Sequence, residues 1–244
     1  MASEEKILIV TGGSKGIGKG IVEAYLANGY SVFSISRTKT SIENDSIVEI
    51  QFDLSKSEGI EGMLMQIFDN IYSQQIKRIV LINNAGTLGE IGRIENLSAE
   101  NILAAVQLNT VAPLLLTSAF IKLTKDWACE KKIINISSGA AQNPYYGWSV
   151  YCATKTSLDM ITKVVAAEQE TVKNGVKIIA IYPGVVDTDM QTEIRKHKKE
   201  DFIAIDRFLE LKSSGSLLNP QTVGEKIFAI DHQELENGSI LRIE

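Results

Sequence analysis

The sequence predicts a doubly wound α/β domain, a parallel sheet of about seven strands with helices on both faces. Three observations carry that prediction. Short β-branched runs alternate with helix-length segments along the chain, several of those runs are apolar at consecutive positions, and no Pro-, Gly- or Ser-rich linker or composition break divides the 244 residues. Alternation of this kind points to parallel strands joined by right-handed crossovers. Strands apolar on successive residues are covered on both faces. A chain of this length without an internal boundary reads as one domain, residues 1–244.

The strand candidates, in order, are KILIV (6–10), SVFSIS (31–36), IVEIQF (47–52), RIVLIN (78–83), KIINIS (132–137), VKIIAIY (176–182) and SILRI (239–243). Residues 16–28 place Ile17, Ile21, Ala24 and Tyr25 at helical spacing, and 57–74, 100–125, 150–173 and 221–232 carry similar stripes. The segment 188–218 departs from the pattern. It is rich in charge, lacks strand character and ends in SSGS (213–216), which predicts a mobile flap over a substrate.

Composition excludes several functions. Hydrophobic residues make up 44% and charged residues 23%, as in an ordinary globular protein. A net charge of −5 argues against nucleic acid, which needs a basic face. The one basic run, RKHKKE (195–200), is short and ends in acid, so it reads as a solvated helix face. Cys129 and Cys152 form no CxxC pair, which favours a reducing, cytoplasmic setting over a disulfide framework. His197 and His232 lack metal-ligand spacing and read as surface residues, and no metal is expected. The start MASEEKILIV has no basic stretch followed by an apolar core. Apolar runs such as IVLI (79–82) are too short to span a bilayer, so no membrane association is expected.

The chemistry begins at VTGGSKGIG (10–18), which follows the first strand and opens the first helix. Gly12, Gly16 and Gly18 permit positive φ or close backbone approach. The helix N-terminus then offers free N–H groups and a positive dipole end to a pyrophosphate. The spacing TGxxxGxG resembles the short-chain dehydrogenase/reductase family, in which this loop holds NAD or NADP on a Rossmann-type sheet. The resemblance implies cofactor contacts from Gly12, Ser14, Lys15, Gly16, Ile17 and Gly18. The second strand ends SISRT, with Ser36, Arg37 and Thr38 and no acid to take a ribose 2′-hydroxyl. A carboxylate there would repel a 2′-phosphate, whereas Arg37 can clamp it, helped by Lys15. The expected cofactor is NADP(H). The resemblance also sets Asp53 and Leu54 of FDLS (52–55) beside the adenine. It lays Asn83, Asn84, Ala85 and Gly86 of NNAG (83–86) against the ribose.

SGAAQNPYYGWSVYCATK (138–155) holds the candidate reacting groups. Tyr151 and Lys155 are four apart, on one helix face. A cation beside a phenol favours phenolate, so Lys155 is expected to lower the pKa of Tyr151. Ser138 lies thirteen positions before Tyr151. Its neighbour Ser137 faces the other way on a strand. The spacing Ser138–x12–Tyr151–x3–Lys155 is similar to the catalytic signature of classical short-chain reductases. That likeness implies that Ser138 polarises a carbonyl, Tyr151 donates the proton and Lys155 also contacts the nicotinamide ribose. Asn109 of LNTVAP (108–113) would complete the set through a water leading to Lys155. Pro183, Gly184, Val186 and Thr188 of YPGVVDTDM (182–190) would lie against the nicotinamide and pyrophosphate.

Within the family the chain resembles the sepiapterin reductases through 143–160, AAE (166–168) and 182–191. The resemblance implies a substrate pocket lined by Tyr145, Tyr146, Trp148 and Met190 beside Ser138 and Tyr151. Arg242, however, stands where those enzymes carry a pterin-anchoring aspartate, so an aromatic or small diketone is a comparable expectation. The alternatives are a 3-oxoacyl-thioester reductase, another alcohol dehydrogenase, or an NADP-binding sensor or scaffold. Segments 100–125 and 150–173 carry apolar residues that would pair between subunits of a homodimer or homotetramer.

Overall fold

The computed structural model describes residues 5–243. Its seven strands form one parallel sheet of order β3-β2-β1-β4-β5-β6-β7. In chain order they are β1 (Glu5–Thr11), β2 (Ser31–Ser36), β3 (Ile47–Gln51), β4 (Ile76–Asn83), β5 (Glu130–Ile136), β6 (Lys177–Tyr182) and β7 (Ile240–Arg242). Each sequence-predicted strand is present, within one or two residues at either end.

The consecutive apolar positions are explained by the two cores. Ile7, Ile9, Ile79, Leu81, Ile133 and Ile178 point to one face, where α2 (Ile60–Phe68), α4 (Ala112–Leu123) and α5 (Ser149–Glu170) cover them. Leu8, Val10, Val80, Ile82, Ile134 and Ile179 point to the other, under α1 (Gly16–Ala27) and α8 (Pro220–Asp231). Alternation of Cβ direction along each strand sorts one apolar run into two layers.

Several boundaries differ from the sequence reading. The helix expected over 57–74 is only α2, because Asp69 and Asn70 end it and the Asn70 amide caps the Gln66 carbonyl at 2.8 Å. The segment 188–218 is not featureless: it contains α6 (Asp189–Ile194) and α7 (Ile205–Ser213). His232 is exposed, as expected, and its ring also meets the Tyr30 hydroxyl at 3.1 Å and the Phe228 carbonyl at 2.8 Å. The predicted 100–125 helix is α3 (Ala99–Val106) and α4, joined through a π turn at Gln107–Val111. By length and composition alone the continuous Ala99–Leu123 helix is long and apolar enough to cross a membrane, a test that a core helix also passes. Its Ala112, Leu116, Ala119 and Phe120 are buried in the sheet's core.

Candidate active site

Loops at the C-terminal ends of the strands converge where β1 and β4 send their crossovers to opposite sides, the usual binding crevice of an open α/β sheet. Tyr151 and Lys155 lie on the first turns of α5 and are buried, at 7% and 5% exposure. Ser138 follows β5 in extended conformation, φ −159°. Its hydroxyl accepts from the Ala140 N–H at 3.1 Å and hydrogen-bonds the Tyr151 hydroxyl. Ser137 turns the other way and donates to Asp159 Oδ1 at 2.6 Å. Lys155 Nζ donates to the Ile136 carbonyl at 2.8 Å and stands 5.7 Å from the centre of the Tyr151 ring.

Asn109 sits in the π turn, fully buried. Its Oδ1 accepts from Thr87 N–H at 2.9 Å, and its Nδ2 donates to Thr87 O at 2.7 Å and Thr154 Oγ1 at 3.2 Å. A Cβ on Gly86 would lie 3.3 Å from Asn109 Oδ1 and 3.6 Å from Lys155 Nζ, so Gly86 backbone fills the corner between them.

The electrostatics correct one expectation. Burial pushes the Tyr151 phenol up to about 12, opposed by the hydrogen bond from Ser138. Lys155 Nζ, bonded to the Ile136 carbonyl and 5.7 Å from the ring centre, does not bring the phenol below its ordinary value, because burial outweighs it. Loss of hydration disfavours phenolate more than this arrangement favours it. Burial also lowers Lys155 to about 8, and the Asp159 carboxylate acts in the opposite direction.

The glycine loop forms the other wall. Gly16 has φ +55°, and a Cβ there would lie 3.2 Å from Thr188 Cγ2 across the cleft. The N-cap, Lys15, supplies no side-chain cap, and the first turn of α1 has no acid. Its N–H groups are therefore open to an anion, the donor set a pyrophosphate needs. Lys15 itself ion-pairs with Asp189 at 2.6 Å rather than reaching toward Arg37. At the end of β2, Ser36 donates to the Thr38 carbonyl at 2.6 Å, Thr38 meets Ser14 at 3.2 Å, and Arg37 is exposed. Asp53 accepts from Ser55 N–H and Oγ, which hold its carboxyl below the usual range, and Leu54 is buried beside it. The Asn83 side chain turns into the core and donates to Asn135 at 2.8 Å, whereas Asn84 reaches the Thr11 carbonyl at 2.9 Å.

Two contributors escaped the sequence reading. Thr11 Oγ1 accepts from the N–H groups of Asn84 and Ala85, both at 2.9 Å, and so ties the glycine loop to the loop after β4. Its place before the loop glycines was the available signal. Asp159, eight residues beyond Tyr151 on the same helix face, was the other.

On the other side of Tyr151, Trp148 stacks on Phe202 at 4.7 Å and 11° and contacts the Tyr151 ring at 5.5 Å. Tyr145 lies 5.0 Å from Trp148 and accepts a hydrogen bond from Arg207 at 3.3 Å. Met190 packs on this cluster, and Tyr146 is exposed. The PG turn carries the far end of the flap: Val186 bridges Leu218 in parallel fashion. Arg242 lies 5.7 Å over the Tyr182 ring.

A glycine-rich first crossover beside a Ser–Tyr–Lys cluster defines an oxidoreductase of the nicotinamide-using α/β class. Residues 6–199 match the family described as short chain dehydrogenase, and the chain belongs to that family. It is 40% identical to "Benzil reductase ((S)-benzoin forming)" of Bacillus cereus, over 98% of this chain and 99% of the relative. It is 29% identical to the sepiapterin reductase of Mus musculus, over 92% of this chain and 90% of that protein. Among solved structures, the KRED1-Pglu enzyme superposes with a TM-score of 0.81 at 26% identity, covering 96% of this chain and 99% of that one.

Proposed function

We propose that the protein is a cytoplasmic NADPH-dependent carbonyl reductase whose substrate is an aromatic or vicinal diketone, reduced to the hydroxy ketone with Tyr151 as proton donor. The observation that carries this reading is the hydrogen-bonded Ser138–Tyr151 pair set against buried Lys155 at the mouth of the glycine-loop cleft. The bound cofactor supplies the hydride. The residues do the rest. Ser138 holds the carbonyl oxygen, and Tyr151 passes its proton to that oxygen as the alcohol forms. The Lys155 ammonium then faces the phenolate charge until solvent returns the proton.

The open N–H groups of α1 would take the pyrophosphate. Arg37 and Lys15 would flank the 2′-phosphate, Lys15 by exchanging Asp189 for it. Asp53 and Leu54 would meet the adenine, Asn84 to Gly86 the ribose, and Pro183, Gly184, Val186 and Thr188 the nicotinamide side. Tyr145, Trp148 and Met190 would face the substrate. The diketone is favoured over a pterin by two observations: the full-length likeness to a benzil reductase, and a cation, Arg242, near the end of the chain. Paired through the apolar faces of α4 and α5, two copies would form a dimer.

The test is NADPH oxidation by the purified protein with benzil, sepiapterin, quinones and simple aldehydes. Benzil is expected to be consumed fastest, and NADPH to be preferred over NADH by about tenfold or more, the value of one charge-assisted clamp. Equal use of NADH would contradict the cofactor assignment. Inertness toward every carbonyl would contradict the activity.

A further inference from the structure

We propose that Asp159 is a positioning residue for this reaction, a fixed buried carboxylate that acts as counter-charge to the Lys155 ammonium. The inference rests on the reductase reading above. Tyr151, Lys155 and Asp159 follow at intervals of four along α5 and share one face. Asp159 is 7% exposed. Both of its oxygens are pinned by neutral donors: Ser137 Oγ on Oδ1 at 2.6 Å, and the Tyr182 hydroxyl on Oδ2. Those bonds fix the carboxylate in place. The two serines that follow β5 thus serve the two ends of one row, Ser138 the phenol and Ser137 the carboxylate.

An ammonium taken out of water without a counter-charge gives up its proton. Burial pulls Lys155 in that direction, and Asp159 opposes it. The other titratable or charged groups facing the pair are Tyr151 and Cys152 on α5, Tyr182 on β6, and Arg242 of β7, which lies over the Tyr182 ring. A charged Lys155 attracts the phenolate formed when Tyr151 gives up its proton, and a neutral amine does not.

The test is the pH dependence of kcat/KM for benzil reduction in wild type, Asp159→Asn and Tyr182→Phe. In wild type the activity should fall as pH rises through about 8, where Lys155 loses its proton. Asp159→Asn keeps the shape and removes the charge, so this alkaline limb should move to lower pH by about one unit. Its loss of activity should grow from the acid to the alkaline end. Tyr182→Phe keeps the charge and should leave the limb in place. A uniform loss at every pH in Asp159→Asn, or an equal shift in both variants, would overturn the inference in favour of a packing role. Should Asp159→Asn not fold, the double variant Asp159→Asn/Tyr182→Phe, which also removes the stranded hydroxyl, carries the same comparison. A readout independent of turnover is the titration of the Lys155 ε-carbon in 13C-lysine-labelled protein, assigned through Lys155→Arg. A shift of that titration in Asp159→Asn supports the counter-charge even if no carbonyl is reduced, an outcome that would sink only the reductase reading. An unmoved titration refutes it even in an active enzyme.

Discussion

Four hydroxyls and one carboxylate divide the work around Lys155. Ser138 and Tyr151 bond each other on the cleft side, and Ser137 and Tyr182 hold Asp159 behind. Burial dominates both titrations. It keeps Tyr151 protonated far above neutrality, so the proposed proton donor stays loaded, and it brings Lys155 down to about 8. The pH sensitivity of the proposed reduction is therefore expected to belong to the amine. The identities of these residues were legible in the sequence, because Ser138, Tyr151 and Lys155 sit at fixed spacing. The direction of the phenol's shift was not. Spacing says that an ammonium is one turn away, but says nothing of where its N–H bonds point or how much water remains. Asn83 illustrates the same limit: its position was readable, but the inward rotation toward Asn135 was not.

At the scale of elements, the flap is the part that the sequence conveyed least. Charge and the lack of strand character marked 188–218, yet α6 and α7 carry Ile194, Ile205 and Phe208, which with Phe202 bury an aromatic cluster on Trp148. The long-range pairing of Phe202 with Trp148 has no local signature. The carbonyl of Asp201 also occupies the space a Cβ on Gly147 would need, so the flap seats directly on the loop before α5. Emptying a buried phenylalanine site costs about 3–5 kcal/mol. Phe202→Ala should therefore release the flap: amide exchange over 201–209 should accelerate by about a hundredfold or more, since each 1.4 kcal/mol is tenfold. Exchange in β1 and β4 should stay as it is. Hydrogen-exchange mass spectrometry reads both, and unchanged protection over 201–209 would show that the stack does not hold the flap.

At the scale of the molecule, the parallel sheet was readable, because two-sided burial writes continuous apolar runs into several of its strands, β1 and β4 above all. Its lower end is fastened by charge. Asp231 is fully buried at the end of α8, bound by Arg78 of β4 at 2.7 Å, Lys132 of β5 at 3.2 Å and the Tyr25 hydroxyl of α1 at 2.8 Å. These partners lie at the opposite end of the strands from Tyr151, so they support the frame rather than the chemistry. The outer faces of α4 and α5 are different. Leu114, Met160 and Val164 are 43%, 57% and 47% exposed along one groove, an apolar surface suited to a second copy. Size-exclusion chromatography with light scattering should give a dimer or tetramer for the wild type, and Val164→Glu should shift it toward monomer. A monomeric wild type would refute the pairing.

The most direct measurement of the central claim separates cofactor binding from proton donation in Tyr151→Phe. NADPH affinity, read by fluorescence titration, should stay within about threefold of wild type, because the phenol is one contact among many. Benzil reduction should fall by about a hundredfold to ten-thousandfold, the usual value of a positioned general acid. A Tyr151→Phe enzyme that still reduces benzil at the wild-type rate would contradict the account.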